Sequence, residues 1–395
     1  MTHPAQPRPS CPSCGAAHDP GASFCEACGA DLTGHASALT TPDPLVAAAT
    51  PQTAPAGDES PLDTGWTGVV PDDVAPQPDD RCRACGQGRI VDGYCDQCGT
   101  PPPDPRDHFT QAPTTWVAGV CDIGRRHTRN EDAMALWADE PAGRRAVLVV
   151  CDGVSMATDS HIASLAAAQE ARDHLSRPLP RGAGTPEAWV AATGRALTAA
   201  VLRANEAVKA TVTDHVPNPP SCTFAAAVVE DGTVVAGTVG DSRVYWLPDD
   251  AGRPARQLGE DDSFAAERIR AGVPREQAEN GPQAHSITRW LGSDAPDDLT
   301  PHLATVAPRA PGWLLVCSDG LWNYCSEPEA VRGLVATAAA GVGHEPGALA
   351  QALVDFANEQ GGRDNITVAL ARLAGRGSTV SNGAQPPQEE DPSNG

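Results

Sequence analysis

The chain has 395 residues, which is enough for two or three domains, and its formal net charge at pH 7 is −23. A negative charge of this size argues against binding to nucleic acid or to an anionic membrane surface, because no positive field attracts phosphate groups. The first ten residues lack the apolar core of a signal peptide, and no segment approaches the roughly 18–20 apolar residues of a membrane helix, so we expect a cytoplasmic protein without a membrane partner.

Eight of the 13 cysteines form four Cys-x-x-Cys pairs in the N-terminal part of the chain. The pairs are Cys11/Cys14, Cys25/Cys28, Cys82/Cys85 and Cys95/Cys98. Two such pairs supply the four thiolates of a tetrahedral zinc site, and a glycine follows each pair, where a left-handed backbone is favourable only for Gly. The duplicated pattern resembles the bacterial double zinc-ribbon family and predicts two structural zinc ions, one in residues 1–30 and one in residues 81–100. Redox-active dithiols are the alternative.

Three segments of low complexity separate or follow the predicted domains. Residues 31–80 are rich in Pro, Ala, Thr and Asp and show no helical or strand period, so we expect a disordered linker there. A Pro-rich hinge is predicted for residues 101–113. The polar, Gly- and Pro-containing end of the chain, residues 374–395, is predicted to be a disordered tail.

Residues 114–373 alternate between apolar runs typical of strands and stretches with helical periodicity. Strands are predicted at Trp116–Val120, Val147–Cys151, Phe224–Val229, Val234–Val239, Val244–Leu247, Trp313–Cys317 and Ile366–Leu370. Helices are predicted over residues 162–175, 190–208 and 349–356. Closely spaced strands with helices in separate blocks favour an α+β domain, in which helices cover antiparallel sheets, over a doubly wound parallel sheet.

Five acidic motifs occur in order along this domain, mostly next to an apolar, strand-like run. They are Arg129-Asn130-Glu131-Asp132, Cys151-Asp152-Gly153, Gly240-Asp241-Ser242-Arg243, Ser318-Asp319-Gly320 and Gly362-Arg363-Asp364-Asn365. Each motif alone is typical of a strand-to-turn junction, where Asp accepts backbone hydrogen bonds and Gly permits the turn. Together they indicate strand ends that converge on a hard cation, since carboxylate oxygens suit magnesium or manganese.

Through these same motifs, in the forms RNEDA, VCDG, GDSRVY, CSDGLW and GGRDNITV, residues 114–373 resemble the metal-dependent, type 2C (PPM) protein Ser/Thr phosphatases. The resemblance implies a four-layer α/β/β/α sandwich of two antiparallel sheets flanked by helices, here preceded by the two small zinc ribbons. It also implies two manganese or magnesium ions and a third, weaker site. One ion would be held by Asp152, the Gly153 carbonyl, Asp319 and Asp364, the other by Asp152, Glu131 and Asp132, and the third by Asp241.

A pair of metal ions would explain hydrolysis without a protein nucleophile. Two cations about 4 Å apart lower the pKa of a bridging water, and the hydroxide can attack phosphorus directly. With the ligands that the resemblance implies, Asp152, Asp319 and Asp364 are the predicted catalytic carboxylates. A cysteine-based route is disfavoured, because no cysteine in this domain is followed six residues later by the Arg that would cradle phosphate.

One departure from the family pattern concerns the phosphate-binding arginine. The family usually has an Arg four residues before the Glu of the acidic pair, where this chain has His127. Arg125 and Arg129 flank His127, and in an extended strand both would share a face with it. Arg129 is the predicted phosphate clamp, and a solvated charge in a basic turn is the alternative.

The sequence thus predicts a protein serine/threonine phosphatase that acts on phosphoproteins and opposes a Ser/Thr kinase pathway, with zinc ribbons for docking or regulation. The alternative is a catalytically weak, phosphatase-like sensor or adaptor that recruits partners through its ribbons. A third hypothesis, ribbons that bind nucleic acid, is disfavoured because residues 1–108 contain 15 Asp and Glu against five Lys and Arg.

Overall fold

The computed structural model describes residue 85, residues 87–100, residue 102 and residues 104–178, 184–213, 216–281 and 283–375. The first predicted ribbon, the predicted linker and all but the start of the predicted tail lie outside these residues. Of the second predicted ribbon, Cys82 also lies outside them. Among the described residues, no helix is both long and apolar enough to cross a membrane.

In chain order, a small hairpin of two strands, β1 and β2, is followed by a larger α+β domain. The strands are β1 (Ile90–Val91), β2 (Tyr94–Cys95), β3 (His108–Thr114), β4 (Val117–Asp122), β5 (Ala133–Ala138), β6 (Arg145–Cys151), β7 (Ser221–Cys222), β8 (Phe224–Glu230), β9 (Thr233–Val239), β10 (Arg243–Pro248), β11 (Arg256–Gln257), β12 (Leu291–Gly292), β13 (His302–Val306), β14 (Gly312–Cys317) and β15 (Ile366–Leu373). The helices are α1 (Ser160–Leu175), α2 (Pro186–Ala210), α3 (Phe264–Arg270), α4 (Arg275–Glu279), α5 (Asp319–Trp322), α6 (Pro328–Val342) and α7 (Pro346–Glu359).

Two antiparallel sheets form the centre of the domain. One has six strands in the order β11-β10-β14-β15-β4-β3, and the other has five in the order β13-β9-β8-β6-β5. Neighbouring strands pair antiparallel throughout both sheets. β7 and β12 form a separate two-stranded pair. This arrangement confirms the predicted antiparallel sheets and excludes a doubly wound parallel sheet.

Successive side chains of the central strands point to opposite faces of their sheet, so each strand contributes apolar side chains to two separate core layers. In β6, Leu148 and Val150 face the opposite sheet, whereas Val147 and Val149 face α1 and α2. In β14, Leu314 faces the other sheet and Leu315 faces α6 and α7. Each sheet is therefore buried on both faces, which explains why its strands read as continuous apolar runs. The four layers confirm the predicted α/β/β/α sandwich.

The long helices begin at recognisable signals. At the start of α2 the side chain of Thr185 accepts a hydrogen bond from the Ala188 amide, and Pro186 occupies the first turn. At the start of α7 the Glu345 carboxylate accepts hydrogen bonds from the Gly347 and Ala348 amides. These helices cover the outer faces of the two sheets.

The structure also contains elements that the periodicity does not predict. β3 begins at His108 and pairs with β4, so the hinge predicted for residues 101–113 is wrong over residues 108–113. β5 and β13 are outer strands of the five-stranded sheet, and α6 is an alanine-rich helix over the other sheet. β3 and β13 escape detection because their side chains alternate between partial burial and exposure instead of forming an apolar run.

Candidate active site

Every acidic motif predicted from sequence lies at the end or start of an element. Asp152 follows β6, Asp132 precedes β5, and Asp364 precedes β15 by two residues. Asp319 opens the short helix α5 directly after β14, and Asp241 lies between β9 and β10. Burial, followed by repulsion from Asp132, Asp319, Asp364 and Asp241, raises the pKa of Asp152 well above its usual range. The structure therefore brings these five aspartates together as close electrostatic neighbours.

Asp132 is fully buried and held by hydroxyl groups from the other sheet. Its Oδ2 atom accepts hydrogen bonds from Ser318 Oγ at 2.7 Å and from Thr367 Oγ1 at 2.7 Å. Its Oδ1 atom is buried and has no hydrogen-bond partner. Burial raises the pKa of this carboxyl to about 6. A buried carboxylate oxygen without a donor is costly, and a cation would satisfy it.

Burial also raises the pKa values of Asp319 and Asp241. Asp319 Oδ2 accepts a hydrogen bond from Asn323 Nδ2 at 2.9 Å, whereas its buried Oδ1 has no hydrogen-bond partner. Burial and then repulsion from Asp364 raise the pKa of Asp319 well above its usual range. Asp241 is 4% exposed, and burial raises its pKa to about 7. An all-oxygen set of this kind fits magnesium or manganese.

In the described residues, the carboxylate oxygens do not form one compact set of ligands. Within the part of the chain that the structure describes, no three of them offer one oxygen each within 4.8 Å of one another; the cysteines of the ribbon are the set that does. The site still suits divalent cations, because its donor atoms are oxygens and two of them, Asp132 Oδ1 and Asp319 Oδ1, have no hydrogen-bond partner. The spacing of the donor atoms is looser than the ligand distances of a single ion.

Gly153 lies in close contact with Glu131. Adding a Cβ to Gly153 would place it 2.6 Å from the Glu131 carbonyl oxygen and 3.0 Å from Ser160 Cβ, so the close approach requires glycine. The Glu131 amide donates a hydrogen bond to Asn365 Oδ1 at 2.8 Å. Burial is the main cause that raises the pKa of the Glu131 carboxyl. The residue lies at the mouth of the site rather than in its floor.

The basic segment before Glu131 differs from its predicted conformation. Residues 123–132 form turns and irregular backbone, so the shared-face argument for an extended strand is wrong. His127 Nε2 lies 3.2 Å from Asp364 Oδ1. Arg129 Nη1 instead approaches His161 Nδ1 at 3.1 Å and Asp159 Oδ1 at 3.7 Å, and half of its side chain is exposed. The turn therefore directs His127 towards the aspartates and Arg129 towards the start of α1.

Two cavities are each lined by one carboxylate of the site, Glu131 or Asp364. One of about 410 Å³ is lined by His127, Arg129 and Glu131 together with the loop Ser155–Asp159. The other, of about 700 Å³, lies between the segment that contains α4 and the turn after α5. Asp364 and the imidazole of His285 both line the larger cavity, and partial burial lowers the pKa of His285. An extended substrate group could reach the carboxylates from either cavity.

Several polar residues that position the acidic pair have no role in the sequence-based prediction. Asn130 Oδ1 accepts from the Asp132 amide, and Asn365 Nδ2 donates to the carbonyl oxygens of Ile123 and Arg129. Thr223 Oγ1 accepts from the Asp152 amide at 3.0 Å. Asn130 and Asn365 lie within the acidic motifs, and an asparagine side chain can both donate and accept hydrogen bonds. Their presence beside the aspartates was the sequence signal for this positioning role.

The second predicted ribbon retains its thiol cluster in the described residues. The Sγ atoms of Cys85, Cys95 and Cys98 lie within 4.8 Å of one another, and those of Cys85 and Cys95 are 3.7 Å apart. Backbone hydrogen bonds, above all from Gly88, lower the pKa of Cys85. Two thiolates on a tetrahedral zinc ion with Zn–S of about 2.3 Å would be roughly this far apart, so the cluster fits zinc.

Comparison with known proteins places the two parts of the chain in known families. The sequence profile of the protein phosphatase 2C family matches residues 123–357. The profile of the double zinc ribbon family matches residues 11–109. The protein phosphatase PhpP of Streptococcus pneumoniae is 28% identical over 258 residues, which are 65% of this chain and 97% of PhpP.

Solved structures show the same relationship. The serine/threonine phosphatase PstP/Ppp of Mycobacterium tuberculosis is 28% identical, covers 65% of this chain and 98% of its own, and superposes with a TM-score of 0.52. The catalytic domain of PstP in complex with two manganese ions is 26% identical, covers 65% of this chain and 97% of its own, and has a TM-score of 0.50. These structures confirm the fold of the large domain.

Proposed function

Because the chain belongs to the protein phosphatase 2C family, we propose that it is a protein serine/threonine phosphatase that uses manganese or magnesium to hydrolyse phosphoserine and phosphothreonine esters. The observation that supports this function most directly is the cluster of aspartates at the strand ends. Two of its members, Asp132 and Asp319, each keep a buried carboxylate oxygen without a hydrogen-bond donor. Such a cluster is unfavourable in a folded protein unless cations bind it.

The proposed ligands divide over two ions and a weaker third. Asp152, the Gly153 carbonyl, Asp319 and Asp364 would hold one ion; Asp152, Glu131 and Asp132 the second; and Asp241 the third. When bound, the two ions supply an activated water as nucleophile and neutralise the phosphate ester. A structure of PstP contains two manganese ions, which supports the same number here.

The protein's own residues fix this centre and present the substrate to it. Ser318 and Thr367 hold Asp132 in one orientation by their hydroxyl groups. His127 contacts the Asp364 carboxylate and restricts its rotation. Arg129 lines the smaller cavity beside Glu131, and we assign it the phosphate oxygens of the substrate, since its guanidinium is half exposed and can reorient.

The ribbons are proposed to bind two structural zinc ions and to dock substrates or regulators. The first ion would be held by Cys11, Cys14, Cys25 and Cys28, and the second by Cys82, Cys85, Cys95 and Cys98. Docking would raise the local concentration of the phosphatase near a chosen phosphoprotein. A Cys98→Ser variant should then lose activity on that phosphoprotein but keep its activity on a small phosphate ester, and equal loss on both would refute this role.

Phosphate release from a phosphothreonine peptide, with manganese and with chelator, tests the proposed activity. We expect turnover only with the metal, and a loss of at least about 100-fold in Asp319→Asn, because that change removes a carboxylate ligand. Asp355→Asn, an exposed carboxylate on α7, is the matched control and should leave turnover unchanged. A full chain that binds manganese but releases no phosphate would favour the alternative, a phosphatase-like sensor or adaptor.

A further inference from the structure

The turn formed by residues 104–107, which joins the second ribbon to β3, is seated against the acidic pair. It lies outside the residues 123–357 that the family profile matches. The Asp107 amide donates to the Asp104 carbonyl at 2.8 Å, and the Ile123 amide donates to the Asp107 carbonyl at 2.7 Å. The turn is thus stabilised by its own hydrogen bond, and a second hydrogen bond joins it to Ile123, the residue that follows β4.

Arg106 extends from this turn and bridges two backbone carbonyl groups of the phosphatase domain. Its Nη1 atom donates to the His161 carbonyl at 2.7 Å, and its Nη2 atom donates to the Asp132 carbonyl at 3.0 Å. In return, the Arg106 carbonyl accepts a hydrogen bond from Asn130 Nδ2 at 2.7 Å. Arg106 therefore contacts the residues on both sides of Glu131 and ties them to the first turn of α1.

We propose that Arg106 is a positioning residue for the acidic pair, through which the segment after the ribbon sets the affinity of the phosphatase centre for its divalent cation. The inference rests on the proposed function, because Glu131 and Asp132 are proposed ligands there. A planar guanidinium can donate from two nitrogens to two carbonyl groups at once in a fixed geometry, whereas the donors of a lysine ammonium all lie on one nitrogen at the end of a flexible chain. Loss of the bridge would leave the Asp132 backbone free to shift.

Whether the affinity for the cation rises or falls in an Arg106 variant distinguishes a positioning role of Arg106 from a purely electrostatic one. Arg106 is a positive charge near Asp132, so removing the charge alone would strengthen the binding of a cation. Removing the bridge has the opposite effect, because a ligand held in the wrong place binds metal less tightly. Arg106→Lys keeps the charge and loses the bridge, and it is therefore the sharper variant. Arg106→Ala loses both.

Arg145 offers a matched control at the other end of β6. It is 8% exposed, and its Nη1 and Nη2 atoms donate to the carbonyl oxygens of Ser176 and Leu175 at 2.6 and 2.9 Å. It thus makes the same kind of carbonyl bridge, but at the end of α1 that is remote from the aspartates. Arg145→Lys should reduce stability without changing the metal site.

The test is a manganese titration of the metal-free full chain, with free Mn²⁺ measured by electron paramagnetic resonance and unfolding midpoints measured in parallel. We expect the Kd for Mn²⁺ to rise about tenfold in Arg106→Lys, as for other residues that support metal ligands, and several-fold in Arg106→Ala, where loss of the repelling charge offsets part of the weakening. We expect Arg145→Lys to stay within about twofold of wild type, because distant sites act independently.

Unchanged or tighter manganese binding in Arg106→Lys would overturn the inference, as would an equal weakening in Arg145→Lys. If Arg106→Ala does not fold, Arg106→Lys alone decides the question. A wild-type chain that binds manganese without hydrolysing phosphopeptides would refute the proposed function and leave this comparison of affinities intact. The two failures are therefore distinguishable.

Discussion

At the scale of single residues, Asp132 is a proposed metal ligand whose burial destabilises the metal-free protein. The carboxyl is fully buried, it has one unsatisfied oxygen, and burial raises its pKa to about 6. A raised pKa in the folded state means that the protonated form stabilises the metal-free fold. That contribution is fully present below the ordinary Asp pKa of about 4, and it is lost as pH rises through about 6.

We therefore predict that Asp132→Asn stabilises the metal-free protein near pH 7.5, by about 1–3 kcal/mol in the free energy of unfolding, since the amide carries no charge to bury. The difference from wild type should shrink towards pH 5. The same change should weaken the stabilisation that manganese provides. Urea unfolding with chelator and with manganese measures both effects, and a less stable Asp132→Asn protein in chelator would contradict this account.

At the scale of elements, Arg243 connects the segment that contains α3 and α4 to the floor of the site. Its guanidinium is 2% exposed and pairs with Asp261 at 2.6 Å and with Glu279 of α4 at 2.9 Å. It also lies 3.6 Å from the centroid of the Trp322 ring in α5. Trp322 in turn donates to the Asp241 carbonyl at 2.9 Å. This network fixes α4 beside two of the acidic motifs.

Breaking the network should be costly because it removes the ion pair of the buried Asp261 carboxylate. We predict that Arg243→Ala lowers the free energy of unfolding by about 3–5 kcal/mol. Arg203→Ala, which removes an exposed pair with Glu170, should cost less than about 1 kcal/mol. Denaturant unfolding of both variants tests the contrast, and similar losses in the two would show that the buried network contributes little.

The elements also show what can and cannot be predicted from this sequence. Strands buried on both faces, such as β6 and β14, appear as apolar runs close to their observed bounds. The spacing of strands and helices predicts antiparallel sheets covered by helices, whereas the four-layer sandwich is what the family resemblance implies. β3 and β13 are half-exposed outer strands, and no continuous apolar run marks them.

The site is predictable to a similar extent. Aspartates at strand ends indicated a common cleft, because the ends of neighbouring strands meet at one edge of a sandwich. The path of residues 123–132 was not predictable, since a turn that sends His127 and Arg129 in different directions depends on tertiary hydrogen bonds. Asn365, for example, fixes that loop from a position more than 230 residues later in the chain.

At the scale of the whole molecule, the chain combines a catalytic sandwich with cysteine clusters suited to zinc. Truncation is a poor way to separate the two parts, because removal of residues 1–108 would also remove Arg106 and its bridge to Asp132. Point substitutions in the ribbons avoid this problem. The strongly acidic net charge of −23 fits a protein that concentrates divalent cations rather than polyanions.

We propose that four of the five strand-end motifs, those that contain Asp132, Asp152, Asp319 and Asp364, hold a pair of divalent cations. Anomalous diffraction from crystals of the full chain grown with manganese tests it most directly. We predict two strong manganese peaks, both contacted by Asp152, with Asp319 and Asp364 at one peak and the acidic pair at the other. Manganese bound elsewhere, or no peak between these carboxylates, would contradict the account.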